Sequence, residues 1–324
     1  MSDKEVEKIY RYLRNGDSLR DVCNKLDLSI NEVYGVVEML NLNGKQIDLV
    51  ESEGEIIIVK RRSNRVYKKE KPNKDDLTFT NICVISDTHI GTKEQQLTLI
   101  NEVYKEAARR NITTVLHCGD LLDGDYIKIR PAHQYQLFLK GFDQQTEYVI
   151  DMYPRVKGIT TKFIQGSHDE THLKNGGATP GKWIEKCRSD MEYLGQDDYT
   201  LTINKVKIKM EHPGGGVAKS LSYKTQDAVE KMTPGNKPNI LLQGHYHKCY
   251  YMFYRNVHAF LVPCLVNQSQ FMKTQGISNI VGAYFLKIYS DEKGYVHYIH
   301  PEDYLFKEDQ IIEDDYLHCK RLVM

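Results

Sequence analysis

Five short polar clusters contain the residues best suited to chemistry: Asp87-Thr88-His89, Gly119-Asp120-Leu121-Leu122-Asp123-Gly124, Gly166-Ser167-His168-Asp169, Glu211-His212 and Gly244-His245-Tyr246-His247. Each follows a strand-like run, and open α/β sheets carry functional groups where strands end. Their donors are carboxylate oxygens and imidazole nitrogens, with no cysteine among them. Such a set suits Mn²⁺, Fe or Zn²⁺ and argues against a thiolate-held structural zinc. In an extended segment, residues i and i+2 point the same way. Asp87 with His89, and His245 with His247, are therefore expected to present two donors each to one cavity. One carboxylate has two oxygens and can bridge two cations about 3.5–4 Å apart. The glycines before Asp120, Ser167 and His245 are expected to let the backbone turn sharply at the strand ends.

The elements that must position these clusters begin near residue 79. Residues 81–86 form a continuous apolar strand. Residues 94–110 are amphipathic, with Leu97, Ile100, Tyr104 and Ala107 on one helical face. Residues 113–118 and 162–165 read as further buried strands, each ending at a polar cluster. The pattern then becomes mainly β, with a hairpin through 200–210, a run at 239–243, and strands around Phe260, 284–289 and 295–300.

The first sixty residues read as a separate unit. Residues 5–15 have apolar groups at Val6, Ile9, Tyr10 and Leu13 and stop at Asn15-Gly16. Ser18 caps a second helix and Ser29 a third, which ends at Asn43-Gly44. Two strand-like runs, 46–51 and 55–60, flank the turn signal Ser52-Glu53-Gly54. Three short helices and a hairpin resemble a winged helix. The third helix carries Glu32 and Glu38 and no Lys or Arg, a poor composition for a groove-reading helix. Basic charge follows the hairpin instead, at Lys60, Arg61, Arg62, Arg65, Lys68 and Lys69. This run is either a solvated linker over 61–78 or a contact to phosphate backbone.

The ordered motifs DxH, GDxxD, GSHD, H and GHxH resemble the signature of the calcineurin-like metallophosphoesterases over residues 79–250, with weaker similarity beyond. The resemblance implies an α/β (α+β) fold: a four-layer α-β-β-α metallophosphoesterase sandwich over 79–324, behind the winged-helix-like domain at 1–60. It also implies two divalent metal ions, Mn²⁺ first and Fe or Zn²⁺ as alternatives. One would be held by Asp87, His89, Asp120 and His247, the other by Asp120, His212, His245 and the third motif's amide. That amide is an Asn in the family and Ser167 here, and a hydroxyl is a shorter, weaker donor. His168 would lie beside the scissile phosphate as general acid, oriented by Asp169 or a nearby carboxylate. Asp123 is expected to support the site from behind the ligands, or to cap the turn at Gly124. His117, His133, His172, His258, His297, His300 and His318 are read as ordinary surface or core histidines, and Tyr246 as a packing or rim residue.

Composition bounds the rest. The chain has 324 residues, is 40% hydrophobic and 27% charged, and balances 44 basic against 44 acidic side chains. Without a net basic field, any nucleic-acid argument must be local. The seven cysteines form no CxxC pair and no disulfide framework is expected. The longest apolar runs are far too short to cross a bilayer, the opening residues lack a signal-peptide layout, and a cytoplasmic location without membrane contact is expected. Oligomeric state is left open, a homo-oligomer included. The functional expectation is two-metal phosphodiester hydrolysis, with DNA as the favoured substrate and partner because of the first domain and the basic run. The alternatives are a small-molecule or cyclic-nucleotide phosphodiesterase whose N-terminal domain binds protein, and a catalytically weak DNA-binding or regulatory module.

Overall fold

The computed structural model describes residues 2–15, 17–43, 45, 47–52, 55–60, 72–127, 131–216, 218, 220–233, 235 and 237–324, without the side chains of 48, 50–52 and 55–60. Arg61, Arg62, Arg65, Lys68, Lys69 and the side chain of Lys60, the basic run singled out above, lie outside the described residues. The chain divides into two units, Met1–Lys71 and Pro72–Met324.

The first unit contains α1 (Asp3–Arg14), α2 (Leu19–Leu26), α3 (Ile30–Leu42) and the antiparallel hairpin β1 (Ile47–Ser52) with β2 (Glu55–Lys60). Ser18 and Ser29 start their helices through capping boxes: each hydroxyl accepts the amide of the acid three residues on, which reaches back to the serine amide. The apolar faces then meet. Ile9, Leu13, Leu19, Val22, Val33, Val36, Val37, Leu40 and Ile47 form one core. The side chain of Asn41 both donates to and accepts from the Ile47 backbone, fastening the end of α3 to the start of the hairpin. Glu32 and Glu38 of α3 are exposed.

The second unit runs β3 (Thr78–Ile85), α4 (Leu97–Arg109), β4 (Thr114–Cys118), α5 (Gly141–Met152), β5 (Thr160–Gln165), α6 (Glu170–Gly176), α7 (Pro180–Cys187) and β6 (Met191–Gln196). It continues with β7 (Asp198–Ile203), β8 (Val206–Glu211), α8 (Leu221–Glu230), β9 (Ile240–Gln243), β10 (Tyr250–Tyr254), β11 (Val257–Leu261) and α9 (Gln270–Thr274). It closes with β12 (Gly282–Ser290), β13 (Val296–Leu305) and α10 (Asp315–His318). One sheet has the order β13-β12-β3-β4-β5-β6 and the other β10-β11-β9-β8-β7. β3 through β6 are parallel, whereas β12 returns antiparallel to β3, pairing Tyr284 with Val84.

Alternation along the strands explains the layers. Cys83 and Ile85 of β3 pack with α4 residues such as Ile100 and Val103, while Ile82 and Val84 face the second sheet through Ile208, Met210 and Leu242. On the far side of that sheet Leu241 meets Val229 of α8. Helices, sheet, sheet and helix therefore form four layers. A strand buried on both faces must be apolar throughout, and each fully buried Val, Leu or Ile contributes about 1.5–3 kcal/mol. β6 and β10 were not expected from sequence. Both are edge strands: β6 shows no continuous apolar run, whereas β10 is a run of Tyr, Met and Phe whose alternate residues are exposed.

The C-terminal segment is fastened to the sheet-and-helix scaffold. Asp315 accepts the Thr98 amide at the start of α4, Asn101 donates to the Lys320 carbonyl, and Lys157 donates its amide to Met324. Among the described residues no helix is long and apolar enough to cross a membrane. Ser18→Ala should cost about 1 kcal/mol by removing the cap of α2. Urea unfolding followed by far-UV circular dichroism checks this, while the chain's one tryptophan, Trp183 in α7, reports the second unit separately.

Candidate metal centre

All five polar clusters fall at the C-terminal ends of strands: β3, β4 and β5 of the six-stranded sheet, β8 and β9 of the five-stranded sheet. The backbone there is not extended, as the two-residue spacings had suggested. Asp87 (φ 52°), His89 (φ 43°), Asp120 (φ 52°), His245 (φ 75°) and His247 (φ 53°) all adopt the left-handed conformation. Non-glycine residues held there cost of order 1–3 kcal/mol each and persist where surrounding bonds over-determine them. Those bonds are present. The amides of Asp87 and His89 donate to Gly119 and Asp120 carbonyls, and the His245 amide donates to Asp87 Oδ2 at 2.9 Å.

The side chains converge in three groups, Asp87 with His89 and His247, Asp120 with His212 and His245, and His89 with Asp123 and His168, the donor atoms in each lying within 4.8 Å of one another. His212 Nε2 joins the first two, at 2.8 Å from Asp120 Oδ2 and 4.0 Å from Asp87 Oδ1. Ser167 is half-buried on the wall of the same cavity.

Hydrogen bonds decide which ring nitrogen is available. A carbonyl can only accept, so His212 Nδ1, at 2.7 Å from the Cys118 carbonyl, carries a proton and Nε2 is the nitrogen left to face a metal. His245 is reversed: its Nε2 donates to the Gly215 carbonyl at 2.7 Å, which frees Nδ1. His89 Nδ1 faces Asp123 Oδ1 at 3.0 Å, leaving Nε2 inward. The Nε2 atoms of His89 and His212 are buried and make no aligned hydrogen bond, although carboxylate oxygens are near. Buried ring nitrogens that converge with carboxylates fit a cation between them, once any proton they carry is displaced. His247 differs, its Nε2 lying 3.1 Å from Asp87 Oδ1, where a cation would replace a proton.

Electrostatics point the same way. Burial raises Asp87 and Asp120, but His247 and His212 beside the first, and His212 and His168 beside the second, hold both carboxyls well below the usual range. Burial lowers His212 and His247, yet Asp120 and then Asp87 raise His212 to about 9, and Cys264 and then Asp87 raise His247 to about 10.

Asp123 links three imidazoles. Its carboxylate takes His89 Nδ1 on one oxygen and His133 Nε2, at 2.6 Å, on the other, and its backbone carbonyl accepts His168 Nδ1 at 2.8 Å. His133, read from sequence as an ordinary histidine, therefore belongs to the site. Its partner lies ten positions upstream across a segment without periodicity, so no spacing marked it. The expectation for Asp169 is corrected. Its carboxylate accepts the amides of Gly166, Leu121 and Leu122 and makes no bond to the His168 ring, so it staples two loops. Burial pushes Asp169 up to about 7. His172 and His117 are buried behind the site. His172 bonds Gln145, which also holds both backbone polar groups of Gly124, and His117 bonds the Thr88 hydroxyl.

The glycine expectation also changes. Gly119, at φ +95°, does need left-handed freedom. Gly166 does not; its role is space, because a Cβ there would sit 2.6 Å from the His212 ring. The donors open into one cavity of about 670 Å³, lined by His89, Asp120, Ser167, His168, His245 and His247, among others.

This arrangement of carboxylates and imidazoles suits divalent cations. Residues 81–278 match the family model of the calcineurin-like phosphoesterase superfamily domain, and the chain belongs to that family. The family binds divalent metals. No curated protein matches the chain. Among solved structures, the chain is similar to an archaeal phosphodiesterase (13% identity, 70% of this chain and 100% of that one, TM-score 0.39). It is also similar to Vps29 of Entamoeba histolytica complexed with zinc (12%, 70% and 100%, TM-score 0.37). A third is a 5'-nucleotidase precursor from Thermus thermophilus (12%, 74% and 57%, TM-score 0.36).

Metal binding must displace the protons that these carboxylates hold on His212 and His247. At pH 8, below both raised values, Mn²⁺ binding should release about two protons, and apparent affinity should rise with pH up to about 10. Calorimetry in buffers of different ionisation enthalpy counts them; binding without proton release would contradict the assignment.

Proposed function

We propose that the chain is a two-metal phosphodiesterase acting on DNA. The observation that carries the chemistry is the pair of donor groups around Asp87 and Asp120, sharing one cavity with His168. Asp87, His89, Asp120 and His247 would hold one ion, and Asp120, His212 and His245 the other, with Ser167 where a further ligand would come. Divalent ions bound there, Mn²⁺ first among them, would supply Lewis acidity toward the phosphate and lower the pKa of a nearby water.

The residues themselves do the rest. Asp123 fixes the His89 ring, and the His212 and His245 rings are fixed by carbonyls, so the donors meet a ligand without reorganising. His168 donates its Nδ1 proton to the Asp123 carbonyl, and that bond keeps its other nitrogen for a proton passed to the leaving oxygen. The His168 amide donates to Asp120 Oδ1 at 2.8 Å, tying the acid's position to that of the carboxylate.

Support for DNA comes from the first unit, with its winged-helix-like order of elements, and from the basic run after it. A small-molecule diester is the second reading, favoured by the exposed Glu32 and Glu38 on α3, which suit a protein partner better than a phosphate backbone.

Mn²⁺-dependent hydrolysis of bis(p-nitrophenyl) phosphate should disappear in Asp120→Asn. His168→Ala should lower kcat by roughly 10²–10⁴ for an alkoxide leaving group and far less for p-nitrophenolate, which needs no proton. An equal loss for both esters would remove the general-acid role. Replacing Lys60, Arg61, Arg62 and Arg65 with alanine should reduce the slope of log binding constant against log salt for duplex DNA by up to about 3 to 4. An unchanged slope would leave the small-diester reading.

A further inference from the structure

The cavity at the metal centre has a second half that metal binding does not use. Val266, Phe271, Met272 and Ile277 line it, and Glu94 and Asn267 add polar groups. This wall is built into the fold. Val266 and Met272 are buried, the Val266 carbonyl accepts Asn279 Nδ2 at 2.8 Å, and the Ile277 carbonyl accepts Gln268 Nε2 at 2.7 Å. Ser269 caps α9 by accepting the Met272 amide, and the Asn267 amide donates to the Glu94 carbonyl at 2.9 Å. Phe271 lines the cavity too and is 43% exposed.

We propose that this half is a subsite for an unpaired nucleobase attached to the scissile phosphodiester, with Phe271 as its stacking face. The inference rests on the phosphodiesterase reading and specifies its substrate. A nucleobase has apolar faces and polar edges. The wall offers the same combination: an aromatic ring and aliphatic side chains for the face, a carboxylate and an amide for the edge. The whole cavity, about 670 Å³, falls in the range that holds a small organic ligand, so a phosphate at the donors leaves room for a sugar and a base. A base within a duplex is stacked and paired on both sides and must leave the helix to enter, at a cost of a few kcal/mol. The subsite therefore selects single strands, strand ends or small nucleotide diesters.

The test uses the full chain with Mn²⁺ and two esters sharing one leaving group, thymidine 5'-p-nitrophenyl phosphate and methyl p-nitrophenyl phosphate. The nucleoside ester should be preferred roughly tenfold or more in kcat/KM, and Phe271→Ala should bring the ratio of the two esters down by about that factor. Ile277→Ala should lower it less. A ratio near one, or a ratio unmoved in both variants, overturns the proposal. Binding of thymidine 5'-monophosphate, measured by calorimetry, is read separately from turnover. Weakening by roughly tenfold in Phe271→Ala supports the subsite and equal affinity overturns it. If neither ester is hydrolysed under any divalent metal, the phosphodiesterase reading fails, while the binding measurement still decides the subsite. Cleavage of a single-stranded oligonucleotide places the base in a chain, and cleavage of a dinucleotide alone places it in a small diester. Faster cleavage of blunt duplex than of single strand overturns the proposal.

Discussion

Two carboxylates, Asp87 and Asp120, are buried between the ends of two sheets, and the surrounding architecture depends on compensating them. A charge removed from water costs several kcal/mol unless opposite charge and hydrogen bonds replace the lost solvent. Here the replacements are imidazoles from both sheets and backbone amides from the facing loops. Each compensation fixes a neighbour. The Asp87 carboxylate holds the backbone of His245, and Asp120 holds the backbone of His168, so a residue from one motif sets the position of a residue from another. Left-handed backbone at five of the candidate ligands is consistent with this. No isolated turn would choose it, and the network leaves little alternative.

Behind the carboxylates a second tier of groups transmits rigidity. Asp169 ties the loop after β4 to the loop after β5, and Gln145 ties α5 to Gly124 and to His172. Asp123 occupies the junction, with one oxygen toward His89 and the other toward His133. Positions that look interchangeable in composition thus differ in duty. Some carboxylates face the cavity and others bind loops together.

Much of this could be read before the structure, and the physical reason is locality. A strand buried on both faces writes itself as an apolar run, and a functional loop begins where that run stops, so strand ends and donor types were visible at β3, β4, β5, β8 and β9. The local geometry was not. Two-residue spacing suggested extended backbone at Asp87–His89, whereas the observed left-handed conformation follows from hydrogen bonds to the Gly119–Asp120 loop, a contact that no window of sequence contains. The same holds for His133 and Asp169, whose partners are set by loop packing. Gly166 shows a related limit. Its presence before Ser167 suggested a turn, but it answers to the volume of the His212 ring, contributed from the other sheet.

The pairing of β12 with β3 has a consequence for how the chain is made. β3 leads the catalytic unit, yet its antiparallel neighbour arrives about two hundred residues later, with Tyr284 opposite Val84. The segment that fastens the start of α4 comes later still, at Asp315 and Lys320. During synthesis from the N-terminus, β3, β4 and β5 therefore leave the ribosome with one flank of their sheet open. Unpaired edges and apolar faces of this kind invite wrong partners until the rest of the chain arrives. The second unit cannot complete its fold piece by piece; it closes only once β12 and the segment from Asp315 to Lys320 have been made. The first unit, whose core is complete within its own residues, carries no such delay.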